Sequence, residues 1–126
     1  MTLIATWAGL AAIGWLSLFQ LLLVLGLPLG HMAWGGAHSV LSTPRRIASL
    51  VSAGLVALFA VALGQAGGVL PAWFPAWLFP GILWAGLALF ALSLLGNAVS
   101  QSPAERLHGV PLSLVIVAAF AATLFA

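Results

Sequence analysis

The sequence predicts an all-α membrane fold: a bundle of four transmembrane helices with a structured cytoplasmic loop between helices 1 and 2. Three observations predict it. The 126 residues are 64% hydrophobic and 3% charged, against roughly 25% charged in soluble domains. So few ionic groups cannot cover a water-exposed surface, which makes lipid the solvent. The apolar residues fall into four stretches, each close to the about 20 helical residues that cross about 30 Å of hydrocarbon. Finally, the fixed charges are three arginines and one glutamate. They are confined to Arg45-Arg46 and Glu105-Arg106, at the starts of the second and fourth stretches. The abundance of Ala and Leu, and the absence of a period-two polar alternation, argue against an outer-membrane barrel. The length suits one domain, a single transmembrane unit over residues 1–126.

The first helix is expected over residues 3–27, stopped by Gly26, Pro28 and Gly30. Its start lacks the basic n-region of a signal peptide and its apolar run exceeds a signal h-region, so it reads as a retained span. The connection that follows, residues 28–43, is longer than the usual helix–helix loop and too apolar for a free linker. Gly35-Gly36 between short apolar arms signals a hairpin. In that hairpin Trp34 would face Ala37, and His31 and His38 would share one face. The second helix, 44–65, opens at Thr43-Pro44-Arg45-Arg46 and ends before Gly67-Gly68. Ala53, Ala57, Ala60 and Gly64 form a small-residue stripe on it, a close-packing face within the bundle or between protomers. The third helix, 77–95, ends at Gly96-Asn97, a C-cap pair.

The fourth helix, 103–126, has the best-marked start. Ser102-Pro103-Ala104-Glu105 is a capping box with proline at the first helical position. Within it, Pro111 lacks an N–H for the Leu107 carbonyl, which predicts a kink. Helices 2 and 4 begin alike, with Ser/Thr-Pro followed closely by arginine, as a duplicated two-helix hairpin would. All three arginines lie in the first and third connections, which share one membrane side. By the positive-inside rule that side is cytoplasmic and both termini are outside. Trp7, Trp73 and Trp77 would then form an outer aromatic belt.

Nearly all the polar chemistry gathers on the arginine side. The candidate binding cluster is His31, His38, Arg45, Arg46, Asn97, Glu105, Arg106 and His108. Three histidines on one side would suit a metal or haem, but the plainer role is interfacial hydrogen bonding, because Glu105 is the sole acid available as a supporting partner. No metal site and no cofactor is therefore assigned. The arginines and Glu105 have a similarly plain role in topology and capping. One step further, Glu105 would pair with Arg45 or Arg46 across helices. Arginines near helix N-termini also suit an anion or lipid phosphate. No basic stripe exists for a nucleic acid. Cysteine is absent, which excludes disulfides and thiolate chemistry. Gln20, Ser17, Ser49, Ser52 and Ser93 are the polar groups inside the spans, and residues of this kind hydrogen-bond between helices. No charged residue lies mid-span, where a proton relay would need one.

The run Gly30…Trp34-Gly35-Gly36…His38…Val40-Leu41…Pro44-Arg45-Arg46-Ile47, with Asn97…Ser100…Ser102…Glu105-Arg106, resembles a family of small bacterial four-helix integral membrane proteins. That family has no assigned activity, so the resemblance implies a bacterial cell-membrane setting and no mechanism. Small multidrug exporters and fluoride channels fit poorly. The first use a glutamate in the opening span, where this chain has Gln20. The second carry a Thr/Ser/Phe-rich third span, where this chain reads Ile82-Leu83-Trp84-Ala85-Gly86-Leu87.

The expected function is non-enzymatic: an oligomeric or accessory membrane protein, handling a small solute or lipid. Its partners would be membrane lipids and further copies or a larger complex. Two alternatives stay open. One is a membrane-embedded enzyme acting on a lipid or quinone-like substrate at the cytoplasmic face, with Glu105 or a histidine as acid/base. The other is a small channel or transporter.

Overall fold

A computed structural model describes residues 2–126 and is helical throughout its regular structure. Helix α1 spans Thr2–Val24, α2 Thr43–Ala66, α3 Phe79–Ala98 and α4 Pro103–Leu124. At 20 to 24 residues they are about 30–36 Å long, and each is apolar enough to cross a membrane. They pack as an antiparallel bundle. Helix α1 lies against α2 and α4, and α3 lies mainly against α4, touching α2 sparsely.

The core is built where the helices present aromatic rings to one another. Phe59 of α2, Phe90 of α3 and Phe120 of α4 meet with centroids 5.9 to 6.3 Å apart. Phe59 meets the other two rings edge to face, while Phe90 and Phe120 are stacked. Gly86 makes room for them: a Cβ there would stand 2.6 Å from Phe120 Cε1 and 3.0 Å from Phe59 Cδ1. Gly9 has the same role in α1, where a Cβ would stand 2.5 Å from Ala119 Cβ and 2.7 Å from Leu63 Cδ2. The expected stripe on α2 is only partly such a face. Ala53 and Gly64 are buried, but Ala57 is exposed. Close approach between helices rests instead on glycines of α1, α3 and α4, the last at Gly109, where a Cβ would collide with Asn97 Cγ.

Several boundaries differ from expectation for identifiable reasons. Helix α1 stops three residues early in a Schellman motif. Gly26, at φ +88°, donates to Leu23 O and Leu27 donates to Leu22 O, which closes the last turn. Helix α3 starts at Phe79 and runs through Gly96-Asn97 to Ala98. Asn97 does not cap it, because its side chain donates to Ser113 Oγ of α4 at 3.0 Å. The N-cap of α2 is Ser42, with Thr43 already helical. Helix α4 ends at Leu124, two residues before the expected end, with Pro111 inside it.

At the end holding the chain's beginning, Gln65 organises the 67–78 connection by accepting from the Trp73 and Phe74 amides at 3.1 and 3.0 Å. Trp7, Trp73 and Trp77 are exposed there. At the other end the connection between α1 and α2 is folded. Met32, Ala33 and Leu41 pack with Phe19 and Leu23 of α1, and Gly30 N donates to Ser39 O at 2.7 Å.

That connection is not the expected hairpin. The turn is centred one residue earlier, on Trp34 and Gly35, which take φ +51° and +81°. Gly36 N closes it onto Ala33 O at 2.8 Å. Two positive φ values match a mirror-image turn, but the flanking arms form no strands and are joined by the Gly30 N–Ser39 O bond. Residues Gly30–Met32 form a 3₁₀ turn instead. Trp34 does not lie against Ala37, since its indole donates to Ser49 Oγ of α2 at 3.0 Å.

Candidate functional site

The start of α4 anchors the polar end of the bundle. Ser102 Oγ accepts from Glu105 N at 3.2 Å, the expected cap. The same hydroxyl donates to His31 O at 2.6 Å, which fixes the 30–36 segment onto α4. Gly36 makes that approach possible, because a Cβ there would stand 2.5 Å from Ser102 Cβ. The second half of the capping box is redirected. Glu105 Oε2 does not return to Ser102 N but accepts from Gly35 N at 3.2 Å. Glu105 is 9% exposed, and its position in the first turn of α4 sets the carboxylate against the positive end of the helix dipole.

Between the four helices and this folded segment lies a cavity of about 500 Å³, within the range of small-molecule sites. Its polar lining includes Gln20 of α1, Ser52 of α2, Ser93 and Asn97 of α3, and Glu105 and His108 of α4. Leu16, Phe19, Leu55, Val56, Leu89 and Phe90 supply apolar wall. Met32, Ala33 and Trp34 close the end beneath the loop. The cavity is partly open, and α2 and α3, which both contribute to its wall, touch each other only sparsely.

The structure divides the expected cluster. Asn97, Glu105 and His108 line this cavity. His31 and His38 are exposed on the loop, and His31 contributes its backbone carbonyl to Ser102. Arg46 Nε donates to Leu41 O at 3.1 Å, holding the loop at the start of α2, and its guanidinium lies against Gly26. Arg45 is half-buried beside it. Arg106 is exposed and donates to Ser100 O. The Glu105 carboxylate is thus engaged by a backbone amide, where an arginine partner was expected. No group of three or more metal-ligating side chains converges among the described residues.

His108 is held by two aromatic side chains of α1. Its Nε2 accepts from Trp15 Nε1 at 2.7 Å, which places the ring proton on Nδ1. Its ring centroid is 4.5 Å from that of Phe19. Spacing gives no cue to this pairing, because Trp15 and His108 lie 93 residues apart. Among the residues expected only to bridge helices, Ser17 does so, donating to Ala53 O at 3.2 Å. Gln20 does not: its Oε1 is buried and without a hydrogen-bond partner among the described residues. Ser52 and Ser93 line the cavity. Ser113, which accepts from Asn97, completes the lining and was not singled out in the sequence.

Fold and site together define a multi-pass helical membrane protein with a polar-walled cavity at one end of its bundle. No family model, curated protein or solved structure matches the chain.

Proposed function

We propose that this chain is a non-enzymatic integral protein of a bacterial cell membrane that holds a small amphipathic molecule, a solute or a lipid, in the four-helix cavity. It acts as a homo-oligomer or as an accessory subunit of a larger membrane complex. The arginine-bearing connections face the cytoplasm and both termini face outward, in keeping with the arginine bias. The bacterial setting accords with the resemblance to the small four-helix family. The observation that carries this reading is the cavity itself: about 500 Å³, with amide, hydroxyl, imidazole and carboxylate groups facing apolar wall. Binding is favoured over catalysis because the two strongest chemical groups already serve the fold. Glu105 holds the Gly35 amide, and His108 Nε2 is occupied by Trp15.

Native mass spectrometry of protein released directly from membranes tests the reading. A small-molecule adduct is expected on wild type and absent from Ser93→Phe, which fills the cavity. Wild type without any adduct, or Ser93→Phe retaining it, would refute the reading. The same spectra report the number of copies and any partner.

One observation favours a second reading, an enzyme acting on a lipid or quinone-like molecule. Glu105 and His108 stand three residues apart on α4 and both line the cavity. An enzyme predicts that Glu105→Ala and His108→Ala abolish turnover with ligand retained. A binding protein predicts weakened ligand retention instead.

A further inference from the structure

We infer that the ligand of this cavity is a lipophilic amine: a compact apolar body bearing a protonated nitrogen. This deepens the proposed binding function and rests on it. Three features converge. Glu105 is the one fixed charge in the lining, and it is negative; Arg45, Arg46 and Arg106 all lie outside that lining. Gln20 is a residue of the same wall, and its Oε1 is a buried acceptor with no partner among the described residues. A buried acceptor of this kind destabilises the fold unless a donor meets it. Two donors of the lining are engaged within the protein, Asn97 Nδ2 by Ser113 and Trp34 Nε1 by Ser49. The lining therefore combines a carboxylate with an unpartnered amide oxygen and holds no arginine, a balance that favours a positively charged donor.

The apolar body follows from the walls. Leu55 and Val56 of α2 and Leu89 and Phe90 of α3 line the same space, and these are membrane-spanning helices. An ammonium group carries three donors and no acceptor, which matches the acceptors of Glu105 and Gln20. An anionic head of the same size would face the carboxylate with no cation to offset it.

The test uses one apolar cage with three heads: adamantylammonium, adamantanol and adamantane carboxylate. Binding to the full chain in nanodiscs is measured by equilibrium dialysis against empty nanodiscs of the same lipid. The ammonium is expected to bind at least about tenfold more tightly than the alcohol, as a charge-assisted hydrogen bond allows. The carboxylate is expected to bind no more than to empty discs. Glu105→Gln should bring the ammonium down to the level of the alcohol while alcohol binding persists, which also reports an intact fold. Gln20→Leu should weaken ammonium binding about threefold.

Equal binding of the three heads, preference for the carboxylate, or an ammonium preference that survives Glu105→Gln would overturn the assignment. The wild-type series decides alone if a variant fails to fold. Should none of the three bind while Ser93→Phe still removes the native adduct, the amine assignment falls and the binding function stands. Should Ser93→Phe leave that adduct in place, the binding function falls with it.

Discussion

Adding one methyl group to α1 should have opposite consequences five residues apart. Gly9 and Gly14 occupy the same helix, yet a Cβ at Gly9 would stand 2.5 Å from Ala119 Cβ and 2.7 Å from Leu63 Cδ2, whereas one at Gly14 meets nothing within 4 Å. Favourable carbon–carbon contact lies near about 3.5–4.0 Å, so the Gly9 methyl intrudes by about 1 Å. Leu63 can rotate away, but Ala119 Cβ moves only with the backbone of α4. Helices α1 and α4 must therefore separate, and overpacking of this kind costs about 1–3 kcal/mol. The change from Gly to Ala also favours helix by roughly 0.8–1.0 kcal/mol, and that gain applies at both positions. The difference between the two variants thus isolates the packing cost, about 1–3 kcal/mol. Reversible unfolding in mixed micelles, following helix content against denaturing detergent, measures it. Gly14→Ala should unfold like wild type or later, and Gly9→Ala clearly earlier. Equal midpoints would refute the α1–α4 contact and the packing reading of Gly9 with it.

Other outcomes follow from the same contacts. Ser102→Ala removes the α4 cap and the bond to His31 O, and should lower stability by about 0.5–2 kcal/mol in the same unfolding assay. It should also speed proteolysis in the 30–36 segment. Phe120→Ala deletes the fully buried ring shared by Phe59 and Phe90 and should cost about 3–5 kcal/mol, while Phe125→Ala, on an exposed ring, should change the midpoint little. A cysteine placed at His38 should react with an impermeant maleimide only after cells are opened, and one at Trp73 in intact spheroplasts. The reverse pattern would overturn the proposed orientation.

Much of the fold was legible because it rests on local chemistry. The four spans follow from uninterrupted apolar length, and the start of α4 from Ser102 and Pro103, whose hydroxyl and missing N–H act within one turn. The candidate site was legible only in part. Asn97, Glu105 and His108 line the cavity because α4 and the end of α3 carry them inward. His31 and His38 drop out because the turn on Trp34-Gly35 leaves both side chains exposed on the loop, outside the lining. Sequence reasoning gave Gln20 a partner on a neighbouring helix, whereas the structure leaves its Oε1 buried and without a partner among the described residues. Trp15 was missed altogether, because only the α1–α4 crossing brings it to His108.

The sequence by itself determined the solvent, the number of helices and the end of the bundle where the polar groups collect. Those properties depend on composition and on residues within one helical turn of each other. Tertiary structure decided which glycines pack and which are idle, as Gly9 and Gly14 demonstrate. It also decided that Glu105 serves a backbone amide, and that a cavity with one negative charge remains between the helices. In a bundle whose helices are apolar on every side, no stripe of sequence marks the inward face. Ring against ring and glycine against methyl set the rotation of each helix, and that rotation decides which polar groups share the cavity.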